Sequence, residues 1–119
     1  MDRVRFVAHK GKQILLIDCS NCSPKEAIAV ANECNRVMRL QPRESVLSLP
    51  DMSGVKVDKK AVERFKEVAA LNQPYVKRSA MVGAESLSPA LLNSIQYFST
   101  RQFTTFPSRE EAMEWLVKE

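Results

Sequence analysis

Residues 44–58 read ESVLSLPDMSGVKVD, from Glu44 to Asp58, and the fold turns on how they are read. Ser45 to Leu49 is a short, mostly apolar run bounded by Pro42 and Pro50. Such a run suits a buried central strand, although periodicity alone does not separate it from a piece of buried helix. Pro50 has no N–H to give an interior ladder, so the strand is expected to stop there. Asp51 to Gly54 is expected as a turn with Gly54 free to take positive φ, and Asp58 as the N-cap of a following helix. In a parallel α/β sheet, the loop leaving the carboxyl end of a central strand is where ligands and partners meet the protein. Met52, like Met81 and Met113, suits an irregular gap in a core, and its place in that loop also allows an exposed, adaptable apolar contact.

Toward the N-terminus, Arg3 to Ala8 alternates, with Val4, Phe6 and Ala8 on one face, as in a half-buried strand. Lys10-Gly11-Lys12 is a compact turn. Gln13 to Asp18 carries four consecutive apolar residues, Ile14 to Ile17, which suits a strand covered on both faces. Ser23, Pro24 and Glu26 make a capping box with a first-turn proline. The helix they open runs to about Leu40, with Ala27, Val30, Ala31, Cys34, Val37 and Met38 on one stripe.

Toward the C-terminus, Asp58 to Leu71 is helical, and Ala61, Val62, Phe65, Val68 and Ala69 form its inner face. Asn72-Gln73-Pro74 breaks it. Tyr75 to Val82 reads as the next strand, closed by Gly83. Ser88-Pro89 opens a third helix, lined by Leu91, Leu92, Ile95 and Phe98 to about Ser99. Gln102 to Phe106 is a short last strand. Ser108 to Glu111 is a second capping box, opening a helix that turns Ala112, Trp115 and Leu116 inward. The order is β-β-α-β-α-β-α-β-α. It predicts an α/β fold: a mostly parallel sheet with an N-terminal antiparallel hairpin and right-handed crossovers.

The 119 residues fit one domain, 1–119. Apolar residues are 45% of the chain, enough for a layered core, and charged residues 27%, an ordinary soluble surface. The net charge of +4 is spread along the chain rather than clustered with aromatics. That argues against specific nucleic-acid binding. No N-terminal apolar stretch of signal-peptide length is present, and no run approaches the roughly 20 apolar residues of a membrane span. The expectation is a cytoplasmic protein with its three cysteines reduced.

This order resembles the STAS superfamily, named for sulfate transporters and anti-sigma-factor antagonists. Within it the chain looks most like a small bacterial STAS-like group that is also compared with CRAL-TRIO lipid-transfer domains. The likeness covers nearly the whole chain. Its best segments are Asp51 to Val55 (DMSGV), Asn72 to Gly83 (NQPYVKRSAMVG) and Ser108 to Leu116 (SREEAMEWL). The first is similar to the D-L-S-G-V leaving the central strand of STAS domains. In anti-sigma antagonists a D-S-S-G follows, whose serine is phosphorylated. Here Asp58 matches that aspartate, but Lys59, Lys60 and Ala61 follow, so the hydroxyl is missing. The phosphate switch, which adds about −1.5 to −2 charge at a helix N-terminus, does not carry over.

Other constellations have plainer readings. Cys19-Ser20-Asn21-Cys22 is a C-x-x-C between a strand and a helix, where a thioredoxin-like site would lie, since a helix N-terminus lowers a thiol pKa. The plainer reading is two thiols in a loop, with Cys34 a small core residue. Three cysteines and the lone His9 do not supply a closed set of zinc ligands when Cys34 is buried elsewhere. His9 reads as a solvated or edge-strand residue, and Asp51 and Asp58 as turn and cap rather than acid and base. Lys59-Lys60 and Lys77-Arg78 read as solvated pairs; Lys59-Lys60, beside a helix N-terminus, would also attract an anionic group.

The candidate binding residues are therefore Asp51, Met52, Ser53, Gly54, Asp58, Lys59 and Lys60, with no catalytic residue, metal or cofactor. The expected function is a non-enzymatic STAS-like regulatory or protein-interaction module with a protein partner. The alternative is a binder of a small apolar or anionic, lipid-like ligand. That reading comes from the CRAL-TRIO comparison and the apolar third helix, and needs a cavity of some hundreds of Å3. Thiol redox chemistry at Cys19 and Cys22 is a third.

Overall fold

Strands β1 (Val4–His9) and β2 (Lys12–Asp18) form the expected antiparallel hairpin, with Gly11 at φ +80° in its turn. The computed structural model describes residues 2–98 and 102–118, the Phe98 side chain excepted. Phe98 as a lining residue, and Ser99 as the end of the third helix, thus lie outside what is described.

Helix α1 (Pro24–Met38) follows, opened by the full capping box: Glu26 N–H donates to Ser23 Oγ, and Ser23 N–H to Glu26 Oε1. Then come β3 (Val46–Asp51), α2 (Lys59–Asn72), β4 (Val76–Val82), α3 (Pro89–Phe98), β5 (Phe103–Phe106) and α4 (Arg109–Leu116). Asp58 caps α2 by accepting from Ala61 N–H at 2.9 Å. Ser88 caps α3 through Leu91 N–H. At Ser108 only the serine half of the expected box forms, Oγ accepting from Glu111 N–H. Asn72-Gln73-Pro74 breaks the chain through a short 3-10 turn, Gln73–Tyr75.

The strands lie in the order β1-β2-β3-β4-β5, antiparallel at the first pair and parallel thereafter. Each parallel strand is laid beside the one before it. Right-handed crossovers taken repeatedly in the same direction put every crossover helix on the same face. Accordingly α1, α2 and α3 share one core with Val4, Leu15, Ile17, Val46 and Met81. The terminal helix α4, with no strand to return to, covers the opposite face and packs Ala112 and Leu116 on Ile14, Leu16, Leu47 and Leu49. Ile14 to Ile17 are all buried because both faces of β2 are covered. Each such side chain contributes about 1.5–3 kcal/mol by leaving water.

Two strand expectations need correction. The central strand does not stop at Pro50. It continues to Asp51, with Pro50 opposite Ile17 and Asp51 opposite Asp18. In a parallel strand successive residues turn their N–H groups to alternate neighbours, so a proline removes one rung on one side only. Asp51 still accepts from Cys19 N–H (2.9 Å), and Met52 N–H donates to Val82 O (2.8 Å). On β1, Val4 is buried but Phe6 is 40% exposed and Ala8 exposed, because this edge strand outruns the cover of α1.

The β3–β4 register slips once: Val46 is opposite Val76, but Leu47 is opposite Arg78. Lys77 is the extra residue. A one-residue slip changes which face the following side chains take. Val76 and Ser79 thus both belong to the three-helix side, while Arg78 turns to α4, its guanidinium 4.5 Å from the centroid of the Trp115 ring.

Candidate functional site

All parallel strands end at one edge of the sheet, so the loops after β2, β3 and β4 meet there with the first turns of the helices. They are bonded to one another. Asn21 N–H donates to Ser53 O (2.8 Å), Lys56 N–H to Cys22 O (2.9 Å) and Gly54 N–H to Ser86 Oγ (2.8 Å). Two glycines allow the approach. Gly83 has φ +78°, and a Cβ there would lie 2.6 Å from Ser53 Cα; Gly54 has φ +68°, and a Cβ there would strike the Asn21 side chain. Three loops distant in sequence therefore form one rim.

Beneath the rim lies a charge cluster. Arg109 opens α4 at this same edge, so its guanidinium reaches the last residues of β2 and β3. Its Nε donates to Asp51 Oδ2 at 2.7 Å, and Nη2 lies 3.3 Å from Asp18 Oδ1. Asp51 also accepts from Ser53 N–H (3.0 Å), closing the turn after the strand. Burial pushes the Asp18 carboxyl up. The Ser20 hydroxyl and N–H, then the charges of Arg109 and Arg3, outweigh burial and hold it below its ordinary value.

The structure distributes the expected binding residues unevenly. Asp51 is buried at 5% exposure and ends the strand rather than standing in a turn. Met52 is buried at 8% and packs in the core, so of its two readings the gap-filling one holds and the exposed contact is corrected: its N–H holds the β4 ladder and its side chain points inward. Ser53 is half-buried, and Gly54 is exposed on the rim with Lys56. Asp58, Lys59 and Lys60 are exposed where α2 begins. Arg109, the residue that joins the cluster, escaped sequence reading because it lies 58 positions from Asp51.

The C-x-x-C thiols are not in an open loop. Cys19 and Cys22 are both buried, as is Cys34, and all three are free. Burial, with the neighbouring Cys22 next, pushes the Cys19 thiol up to about 12. Burial pushes Cys34 up to about 12 as well, against a hydrogen bond from Asn72, and raises Cys22. Thiols held protonated are poor nucleophiles, which leaves the redox reading without support. His9 is half-buried and its Nε2 lies 2.7 Å from Glu114 Oε2, tying the hairpin to α4. Among the described residues no group of three or more His, Cys, Asp or Glu side chains is placed to hold a metal, and no helix is long and apolar enough to cross a membrane.

A second feature lies between the sheet and its three-helix cover. A partly open cavity of about 100 Å3 is lined by side chains of α1, α2, α3 and strands β2 to β5. Short residues leave the space: Ala31 and Cys34 on α1, Ala69 on α2, and Ser48 and Ser79 on the sheet. Its size is below the roughly 300 Å3 at which drug-sized ligand sites begin. Asn72, at its wall, is already engaged, accepting from Asn35 Nδ2 (2.9 Å) and donating to Cys34 Sγ (3.5 Å). Ser48 had a signal in the sequence, as a polar residue between two leucines, whereas Ser79 follows Lys77 and Arg78 and had none. Their pairing across β3 and β4 had none either.

Compared with known proteins, the chain matches no family model, no curated protein and no solved structure.

Proposed function

We propose that this chain is a non-enzymatic, STAS-like regulatory module of the bacterial cytoplasm that binds another protein through the rim at the carboxyl edge of its sheet. The observation that carries this is the bonding of three loops into one surface, backed by the Arg109 cluster. Loops that are already ordered cost less entropy to dock than loops that must be fixed on binding. The exposed Lys56, Lys59 and Lys60 beside the rim favour a partner with an acidic face. With lysines where anti-sigma antagonists carry their serine, phosphorylation at that position does not control docking; the exposed charge selects the partner. The test is capture from the native cytoplasm with the wild-type chain and with K59E/K60E. A partner retained by the wild type and lost by the charge-reversed protein supports the reading. Identical recoveries from both end it.

A second reading, binding of a small apolar molecule, is favoured by the cavity under α1 and α2.

A further inference from the structure

Ser48 and Ser79 are 4% and 5% exposed and stand directly opposite each other on β3 and β4. Both line the cavity. Among the described residues neither hydroxyl has a hydrogen-bond partner, and no sealed side-chain nitrogen or oxygen is left unpartnered. The two hydroxyls therefore open onto the cavity with their bonding capacity unspent. A buried polar group without a partner is destabilising, and the usual remedy is a water or a ligand atom. Around the pair the lining is apolar: Met38, Phe65, Val68, Met81 and Ile95 face the space. Among the described residues no Lys, Arg, His, Asp or Glu lines it, and the other polar lining residues are Asn72 and Gln73.

We infer that this cavity is a binding site for a small neutral molecule with an apolar body and one hydroxyl or carbonyl group, the polar atom being held by Ser48 and Ser79. The inference rests on the second reading above and is independent of the rim. Each part of the ligand follows from the lining. The volume, about 100 Å3 and partly open, limits the body to a single ring at most, since an engineered apolar cavity that accepts benzene measures about 150 Å3. A serine hydroxyl both donates and accepts, so a ligand hydroxyl or carbonyl satisfies it equally. A carboxylate or phosphate would meet no counter-charge among the described lining residues, and would exchange its hydration for a few neutral hydroxyl and amide groups. The anionic, fatty-acid-like ligand is thus excluded from this site, and the neutral one retained.

The experiment uses three one-ring probes, phenol, benzene and benzoate, titrated into the full chain by calorimetry and by protein NMR. Phenol is expected to bind about threefold to tenfold more tightly than benzene, the gain from one net hydrogen bond. Benzoate is expected not to bind. In S48A/S79A phenol should fall to the affinity of benzene, and benzene should bind as before, which shows that the cavity survived. If the double variant does not fold, S79A alone and A69L, which narrows the space, are read instead: the first removes the phenol preference, the second weakens both probes. The inference is overturned if neither phenol nor benzene binds, so that the serines hold water only. It is also overturned if benzoate binds as well as phenol, or if the phenol preference survives loss of both hydroxyls. None of these outcomes bears on K59E/K60E capture, so the two proposals fail separately.

Discussion

On one face of the sheet, Ile14, Leu16, Leu47, Leu49 and Ala80 meet Ala112 and Leu116 of a single helix. On the other, three helices meet the sheet around short side chains and leave a cavity of about 100 Å3. The charges are divided as unequally. The Asp18–Arg109–Asp51 cluster ties α4 to the ends of β2 and β3, whereas all three thiols sit in the core of the three-helix face. The same strands supply both faces, so the difference comes from what alternates along them. In β3, Leu47 and Leu49 face α4 while Ser48 and Pro50 face the cavity. Alternate residues of a central strand answer to different neighbours, and a polar residue within an apolar run therefore belongs to one face alone.

The sharpest way to break this contrast is pH, because the two faces should fail at opposite ends. The Cys19 and Cys34 thiols have folded pKa values raised to about 12 from 9.0. An acid whose pKa rises on folding contributes stability below its unfolded value. That contribution is lost as pH climbs through the folded one. Urea melts should therefore weaken between pH 9 and about 12, by on the order of several kcal/mol, and C34A should blunt the loss. A stability that is flat across this range would remove the three-helix face as the alkali-sensitive side.

A matched pair of substitutions tests packing. Ala112, buried on α4, and Ala31, buried on α1 beside the cavity, are both changed to leucine. A112L has no space to enter and should cost about 1–3 kcal/mol. A31L grows into the void and should be neutral or stabilise by up to about 1 kcal/mol. Thermal melts showing the reverse order would contradict the assignment of the cavity.

A smaller loss than that of A112L is expected from R109M. It removes a charged hydrogen bond to Asp51 but leaves the aspartates in reach of their own turn N–H groups. With Arg109 about one-third exposed at its side chain, solvent screening brings the expected cost to about 1 kcal/mol at neutral pH. Asp18 has a lowered folded pKa, so its share of that stability is present above the unfolded carboxylate value and is lost as pH falls through the folded one. Wild type and R109M should converge in acid. A difference that persists at low pH would show that Arg109 works by packing rather than by charge.

Much of the fold was legible. Serines at 23, 88 and 108 and Asp58 all cap the helices that they open, because a capping hydroxyl or carboxylate acts within three residues of itself. Strand and helix order followed from apolar spacing for the same reason. Pro50 misled because the rule against proline in central strands counts lost hydrogen bonds without asking on which side they fall. Met52 had two readings, core filler and exposed contact, and the core one holds because a residue in a loop can still point inward when neighbouring loops hold it there. Of the site, the place of the loop at the carboxyl end of β3 was legible and the surface it joins was not, since the pieces that meet it come from Asn21, Gly83, Ser86 and Arg109.

By itself the chain determined its local structure: which segments are helix or strand, where each helix begins, and that the strands alternate with crossover helices. Those are contests between a residue and its near neighbours. Only the tertiary structure decided that Ser48 lies opposite Ser79, that Arg109 reaches both aspartates, and that small residues from two helices and the sheet leave a void. Each of these depends on register and on layer geometry, which bring together residues with no local reason to meet.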